Sequence, residues 1–504
     1  MIQGGLDAGK SGTHFFDNTF FGRRAPTRSL RQDVQRGVTF LPSQLWDFGC
    51  RCSSIQCSSI QREPEDDARR GDNRTLVVVG GGAAGVFGAL RAKTLHPSLE
   101  VVVLEKGQRL LSKVLISGGG RCNVTTGLFN NEPSLLAGQY PRGHKELRGS
   151  YFHRHGPRDT AAWFVSRGVA LKTERDGRMF PKSNSSATIV ECLLSEARRM
   201  GVALQTSAQV HWVSKERGKF SIHIGGGGKP NGKHTLEANN VLLATGSAIQ
   251  GYKIASQLGH SIVEPRPSLF TFKVKDTALT ELSGVSFEKV KVELELPDHK
   301  KLKDPHLTQD GPLLITHWGF SGPVVLRLSA WAARLLYSSG YEGTIWVDFL
   351  PNLGLEETKS MLVNHKQECQ KRNLGSFVPA EIPLVRRFWL YLLQRQGLDK
   401  DSKWARLSTQ SLYNLAVLIK RCSFEISGKG EFKDEFVTAG GVPLVEVDLK
   451  TMESRMCPGL FLAGEVLDVD GITGGFNFQN AWTGGYIAGT TIAEQTRCDH
   501  SIIS

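Results

Sequence analysis

A glycine-rich turn that directly follows a short apolar segment constrains this fold more than any other feature of the sequence. Residues 75–79 read TLVVV, and they lead straight into GGGAAG at residues 80–85. A strand, a GxGxxG turn and a helix in this order open a dinucleotide-binding Rossmann unit. In such a unit the first glycine permits the tight turn, the second admits a pyrophosphate, and the third lets the helix pack closely. The cofactor contacts predicted here are Gly80, Gly82, Ala83, Ala84 and Gly85.

The residues after the turn complete the same unit. We predict a helix that ends near Leu95, because His96 and Pro97 follow it, and then a second strand over residues 99–104. Glu105 comes 20 residues after Gly85. An acidic side chain at this spacing accepts hydrogen bonds from the ribose of an adenosine. We therefore place Glu105, together with the adjacent Lys106, in the predicted site.

Three further segments favour FAD over NAD in that site. A flavin dinucleotide extends further across a protein than a nicotinamide dinucleotide and needs more contacts. Residues 117–125 form a small-residue loop, SGGGRCNVT, whereas residues 241–246 and 459–465 each read as a strand that ends in glycine. The additional predicted contacts are Lys113, Gly118, Gly119, Gly120, Arg121, Cys122, Asn123, Thr245, Gly246, Gly464, Glu465, Asp468, Gly474, Gly475 and Asn477.

The C-terminal segment also carries a chemical argument for a flavin. Gly474 and Gly475 open a helix, and the N-terminal dipole of a helix stabilises negative charge. A reduced flavin is anionic at its N1 edge, so this helix would favour the reduced form. The alternatives are a close-packed helix start without a ligand, and a Rossmann turn that binds NAD.

These segments resemble the family of bacterial FAD-dependent oxidoreductases that includes aminoacetone oxidase, the YhiN-type flavoproteins. The resemblance covers residues 74–489, and its marks are KVLISGGGRCNVT at 113–125, GRMFP at 177–181, THWGFSGP at 316–323, VTAGGV at 437–442 and the segment 464–475. It implies that FAD is held by residues 80–85, Glu105, residues 118–123 and residues 464–479. It also implies a β-barrel-like middle domain with a helical insert.

The order of the segments predicts an α/β protein, in which a Rossmann-type FAD-binding domain carries an inserted β-domain. Residues 290–296, VKVELEL, alternate strictly, which is typical of a strand with one solvent-facing side. The predicted divisions are a leader over 1–74, the FAD-binding domain over 75–264 and 437–497, the β-domain over 265–352 and 421–436, the helical insert over 353–420, and a tail over 498–504.

Residues 1–74 differ in composition from the rest. They contain early arginines and clustered serines and show no sustained periodicity, which is typical of a targeting segment. We expect import into the chloroplast, with the mitochondrion as the alternative. If the leader is instead a disordered extension or follows a misassigned start codon, the location is cytoplasmic.

The net charge of +13, from 62 basic and 49 acidic residues, suggests a polyanionic partner. No block of like charge concentrates it, so we do not favour nucleic acid as a partner. No apolar run approaches the roughly 18 residues that cross a bilayer, so we predict no transmembrane segment. The sequence assigns neither a metal site nor a catalytic side chain. Cys122 is expected to be a packed residue, while Arg178 either meets substrate or phosphate or anchors the fold.

Two function classes stay open on the sequence alone. The first is an FAD-dependent oxidoreductase that moves a hydride between flavin and a small organic substrate, such as an amine, a ketone or an unsaturated carbonyl compound. Dioxygen or NAD(P)H would be its redox partner. The second is a binding protein with structural FAD, whose basic surface docks to RNA or to an anionic membrane.

Overall fold

The computed structural model describes residues 74–129, 132–225, 234–297, 304–376, 378–430 and 437–498. All but the last residue of the predicted leader lies outside these ranges. The described residues all belong to one compact unit. Within the described ranges, no helix combines the length and the apolar character needed to cross a membrane.

The strands are, in chain order, β1 (Thr75–Val79), β2 (Glu100–Leu104), β3 (Thr125–Thr126), β4 (Leu171–Thr173), β5 (Arg178–Pro181), β6 (Ala203–Gln205), β7 (Gln209–Glu216), β8 (Lys219–Gly225), β9 (His234–Ala238), β10 (Asn240–Leu243), β11 (Val263–Ser268), β12 (Phe272–Val274), β13 (Ser286–Glu295), β14 (Thr308–Thr316), β15 (Gly319–Ser321), β16 (Glu342–Asp348), β17 (Cys422–Lys429), β18 (Val437–Gly441), β19 (Val447–Asp448), β20 (Glu453–Ser454) and β21 (Leu460–Leu462). The helices are α1 (Ala83–Leu95), α2 (Ser112–Gly120), α3 (Pro133–Ala137), α4 (Tyr151–Arg154), α5 (Pro157–Val165), α6 (Ser186–Arg199), α7 (Ile249–Gln257), α8 (Thr277–Thr280), α9 (Pro323–Ser338), α10 (Leu355–Glu368), α11 (Arg386–Arg395), α12 (Thr409–Lys420) and α13 (Phe476–Cys498).

A seven-stranded sheet in the order β19-β20-β21-β10-β1-β2-β6 forms the Rossmann part of the molecule. The strands β21, β10, β1, β2 and β6 run parallel to one another. Strand β1 lies at the centre, where Val79 pairs with Leu104 on one side and with Leu243 on the other. Its residues are apolar on both faces because helices cover both sides of a parallel sheet.

Helices α1 and α13 pack against each other through small residues, although they lie near opposite ends of the described chain. A Cβ on Gly485 would lie 2.5 Å from the carbonyl oxygen of Ala84, and one on Gly489 would overlap the carbonyl of Gly88. Glycine at these positions lets the two helix backbones touch. The contact therefore fixes the C-terminal segment beside the N-terminal turn.

The inserted domain is a closed antiparallel barrel with the strand order β12-β15-β14-β13-β16-β17. Along β13 the side chains of Val290, Val292 and Leu294 are buried, whereas the intervening Lys291 and Glu293 are exposed. Helices α10, α11 and α12 follow β16 in the chain and share the apolar core of the barrel. The predicted fold class, a Rossmann-type sheet with an inserted barrel, is confirmed. The exact domain boundaries stay predictions.

Two connecting strands, β11 and β18, pair antiparallel where the chain passes between the Rossmann part and the barrel. A buried ion pair lies beside them. Asp470 is fully buried and binds the Arg142 guanidinium, while Ser268 of β11 donates its hydroxyl to Asp470 at 2.5 Å. Arg142 also donates to the carbonyl of Ala330 in α9 at 2.6 Å. One arginine thus ties the C-terminal segment, a connecting strand and a barrel helix together.

We predict that Asp470→Ala destabilises the protein by about 3–5 kcal/mol, since removing one partner leaves a buried charge uncompensated. The matched control is Arg334→Ala, which breaks the neighbouring Arg334–Asp468 pair. The Arg334 side chain is 48% exposed, so its loss should cost less than about 1 kcal/mol. Equilibrium urea unfolding measures both values. Equal, small effects for the two variants would contradict the assigned role of Arg142 and Asp470.

Candidate cofactor site

The glycine turn between β1 and α1 leaves an open space in front of its middle residue. Gly82 is the N-cap of α1 in an extended conformation, and a Cβ on it would meet no atom within 4 Å. A Cβ on Gly85, by contrast, would overlap the carbonyl oxygen of Gly80. The turn therefore packs closely against the protein at Gly85, whereas the space in front of Gly82 is open. The free side lies at a helix N-terminus, which attracts phosphate.

Glu105 reaches this turn from the end of β2. Its carboxylate accepts hydrogen bonds from the backbone N–H groups of Gly81 at 2.9 Å and Gly107 at 2.7 Å. The side chain is thus held at the edge of the predicted nucleotide site. Lys106, the next residue, is exposed. Contacts of both residues with a ribose stay predictions.

A second group of predicted residues meets beyond the turn, where α2 begins and where β10 and β21 end. The Lys113 ammonium lies 2.8 Å from the Glu465 carboxylate and 3.1 Å from the Ser247 hydroxyl. A Cβ on Gly246 would lie 3.6 Å from the same carboxylate, and one on Gly464 would lie 3.0 Å from the Cβ of Ala84. Segments far apart in the chain therefore converge here.

The SGGGRCN loop lies next to the start of α13. Its glycines Gly118, Gly119 and Gly120 have φ values of 55°, 69° and 79°, a region that favours glycine. Gly475, with a φ of 94°, packs so closely that a Cβ would lie 2.5 Å from the Thr125 carbonyl group. The strand that follows the loop and the C-terminal glycines are therefore direct neighbours.

Some predicted contacts have partners within the protein itself. Asn477 binds the backbone N–H and C=O of Gly471 at 2.8 Å each, and Asp468 accepts two hydrogen bonds from Arg334 at 2.9 and 3.0 Å. Asn123 accepts a hydrogen bond from the backbone N–H of Met179 at 3.2 Å. A ring carbon of Phe476 lies 3.0 Å from where a Gly474 Cβ would be. These contacts shape the loops, and any direct role toward a cofactor stays a prediction.

Residues that the sequence did not single out also belong to the site. Ser247 binds Lys113, and the backbone N–H of Thr438 donates to Glu465 at 2.9 Å. Ser247 directly follows the strand and glycine at residues 241–246, and Thr438 lies within the VTAGGV segment at 437–442. The Arg142–Asp470 pair had no comparable signal, because its partners are 328 positions apart.

The arrangement fits a dinucleotide. The hydroxyl groups of Thr245 and Tyr252 are buried and, among the described residues, have no hydrogen-bond partner. Leaving such a group unsatisfied costs about 1–3 kcal/mol, so it is expected to bind something. Gly82 and Gly120 both face open space. The Thr245 hydroxyl faces Gly251, since a Cβ on Gly251 would overlap it, so the space open to a dinucleotide is in front of Gly82 and Gly120.

Comparison with known proteins identifies the family. The HI0933-like protein Rossmann domain model matches residues 74–491. The chain belongs to the HI0933-like family. A 3-dehydro-bile acid delta(4,6)-reductase of Clostridium scindens is 30% identical to it over 428 residues, which cover 83% of this chain and 98% of that protein. A ribosomal RNA dihydrouridine synthase of Haemophilus influenzae is also 30% identical, over 435 residues, with 83% and 98% coverage.

Solved structures are similar to this HI0933-like protein at much lower identity. One is the 3-ketosteroid-delta4-(5alpha)-dehydrogenase from Rhodococcus jostii RHA1, with 14% identity, a TM-score of 0.45, and coverage of 85% of this chain and 99% of that one. Family membership confirms the predicted relationship to YhiN-type flavoproteins. The protein is an FAD-dependent oxidoreductase, and FAD is its cofactor.

We predict that Gly82→Val weakens FAD binding by at least about tenfold while the protein stays folded. Its side chain would occupy the open space at the turn, and one lost contact of about 1.4 kcal/mol already equals that factor. Gly354→Val is the matched control, since Gly354 is also an extended N-cap glycine but lies at α10. Flavin absorbance after gel filtration measures occupancy. Full occupancy in Gly82→Val would contradict this assignment.

Cys122 is predicted to be chemically inert in the native protein. It is fully buried, and burial raises the pKa of its thiol to about 12, although a hydrogen bond with Ser117 opposes the shift. The thiolate is the reactive form, so N-ethylmaleimide at pH 8 should leave Cys122 unmodified until the protein is unfolded. Cys369, which is partly exposed, serves as the reactive control for peptide mass spectrometry. Rapid native labelling of Cys122 would contradict this prediction.

Proposed function

We propose that this enzyme reduces a carbon–carbon double bond conjugated to a carbonyl group, and that its substrate is a uridine in RNA. The observation that carries the proposal is the bond type named by two relatives of equal identity. One is named a delta(4,6)-reductase of a 3-dehydro-bile acid and the other a dihydrouridine synthase. An enone and the 5,6 bond of uracil share the conjugated arrangement. The same flavin-dependent reduction of a conjugated double bond would therefore account for both named activities.

The charge of the chain favours RNA over a small neutral molecule. A net charge of +13 attracts a polyanion and accelerates its association. The sequence alone did not favour nucleic acid, because the charge is dispersed along the chain. The relative named for ribosomal RNA supplies an independent reason to test it. The second candidate is a small unsaturated carbonyl compound, which the bile acid relative supports.

The residues of the chain would divide the work as follows. Residues 80–85 and the N-terminus of α1 would hold the pyrophosphate, and Glu105 would orient the ribose. Lys113 and Glu465, paired at 2.8 Å, would hold the start of α2 close to the segment that follows β21. Bound FAD supplies the hydride chemistry. We propose NAD(P)H as the electron donor, since dioxygen accepts electrons and cannot supply the hydride for this reduction.

The proposed cellular location rests on the composition of the leader. We propose that residues 1–74 direct the protein to the chloroplast, which would make organellar RNA the available substrate. Only the arginine- and serine-rich composition of that segment supports this destination, with the mitochondrion as the alternative. Apart from Arg74, the segment lies outside the described residues.

The proposed function predicts a two-hydrogen gain in uridine. Purified holoenzyme is incubated anaerobically with NADPH or NADH and a mixed-sequence RNA transcript that contains uridine. Nucleoside mass spectrometry should then show uridine heavier by about 2 mass units, the mass of two hydrogens in the reduced 5,6 bond. The same enzyme and donor are offered a steroidal enone in parallel. Gly82→Val, which is predicted to bind FAD more weakly, is the control for both substrates.

The two substrate classes give different outcomes. Reduction of RNA uridine without reduction of the enone supports the proposal. Reduction of the enone alone supports the small-molecule candidate and contradicts the RNA assignment. If the donor bleaches the flavin but neither substrate is reduced, the proposal that the enzyme reduces a conjugated carbon–carbon double bond is contradicted.

A further inference from the structure

We propose that Arg121 and Arg178 form a phosphate-binding site for the RNA substrate, and that the Glu174 carboxylate occupies this site when RNA is absent. This inference rests on the proposed function, because it assigns the substrate a backbone phosphate. This inference assigns Arg121 to the RNA in place of the FAD contact that the sequence predicts. The two arginines would position the RNA and take no part in the chemistry.

The two guanidinium groups converge on a single carboxylate. Nη1 of Arg121 lies 2.8 Å from Oε1 of Glu174, and Nη2 of Arg178 lies 3.0 Å from Oε2 of the same side chain. Asp176 holds the other side of Arg178, with 2.7 Å between its carboxylate and Nε. Two arginines that share one bridging anion are already arranged for a tetrahedral phosphate, which also accepts several hydrogen bonds at once.

The fold holds both arginines in place. Strand β5, which begins at Arg178, pairs with β3 immediately after the SGGGRCN loop, so that Arg178 lies opposite Thr126. The ring of Phe180 lies under both guanidinium groups, 4.0 Å from that of Arg121 and 5.6 Å from that of Arg178. Phe180 is 1% exposed. A rigid aromatic support reduces the entropy that binding would otherwise cost.

The pair is accessible to a ligand from solvent. The side chains of Arg121 and Arg178 are 34% and 36% exposed, and that of Glu174 is 28% exposed. Surface ion pairs of this kind contribute about 0–1 kcal/mol. An incoming phosphate can therefore replace Glu174 at small cost, and the arginines keep an anionic partner throughout.

The barrel adds a further arginine near the same hairpin. Burial lowers the pKa of Arg327 in α9, and the carboxylates of Asp310 and Asp176 oppose that shift. Arg327 therefore lies within electrostatic range of Asp176, two residues after Glu174. Arg175, between the two acids, is exposed. Arg175 thus adds exposed positive charge to this hairpin, whereas Asp176 and Asp310 offset the charge of Arg327.

The test measures how tightly the holoenzyme binds a fluorescein-labelled 12-nucleotide uridine RNA at several KCl concentrations by fluorescence anisotropy. Arg178→Ala should weaken binding and lower the slope of log affinity against log [KCl] by about 0.7–1, the value for one phosphate contact. Glu174→Gln should strengthen binding several-fold, because the competing carboxylate is neutralised. Arg178→Lys should recover the salt slope but only part of the affinity.

The matched controls are Arg198→Ala and Glu191→Gln, which alter an exposed ion pair on α6 with a 3.4 Å separation. Neither should change the affinity or the salt slope. Flavin absorbance and melting temperature are recorded for every variant. Unchanged RNA binding in Arg178→Ala and Glu174→Gln, while wild-type enzyme still reduces uridine, would overturn the phosphate site. Loss of FAD in Arg178→Ala would also overturn it, since the arginine would then serve the cofactor.

The failure of the proposed function is a separate result. It is shown by wild-type holoenzyme that forms no dihydrouridine, whatever the variants do in the binding experiment. The phosphate site fails if the Arg178 and Glu174 variants leave RNA binding unchanged, or if Arg178→Ala loses FAD.

Discussion

The backbone contact between α1 and α13 is the constraint on which the rest of the structure depends. Glycines at positions 485 and 489 allow α13 to touch α1 at Ala84 and Gly88, within the first turns after the glycine-rich loop. A larger side chain at either position would separate the helices. Because α13 begins directly after Gly475, its packing also places the C-terminal glycines against Thr125. Both ends of the described chain thus contribute to one site.

This arrangement explains why the barrel can be inserted without disturbing the site. The chain leaves the Rossmann part through β11 and returns through β18, and these two strands pair with each other. The insertion therefore begins and ends at one place. Arg142 stabilises that place through Asp470, Ser268 and the α9 carbonyl of Ala330.

The sequence predicts local features well and long-range partners poorly. The β1 strand, the end of α1 at Leu95 and the alternating strand at 290–296 follow from periodicity and turn chemistry, which depend on neighbours in sequence. The structure also places the predicted residues Lys113, Gly246 and Glu465 together. It gives Asn477 and Asp468 protein partners, Gly471 and Arg334, that no motif indicates. Arg121, Glu174 and Arg178 likewise become a cluster only when β3 and β5 pair.

The most direct test of the account is hydrogen–deuterium exchange of the FAD-loaded and FAD-depleted protein. Backbone amides that a ligand orders exchange more slowly, and the experiment reports each segment separately. One FAD held by remote segments predicts slower exchange at residues 80–85, 117–123, 245–247 and 464–475 together. Protection confined to residues 80–85 and the end of β2 would contradict the account, because a single nucleotide at the first turn would then explain all binding.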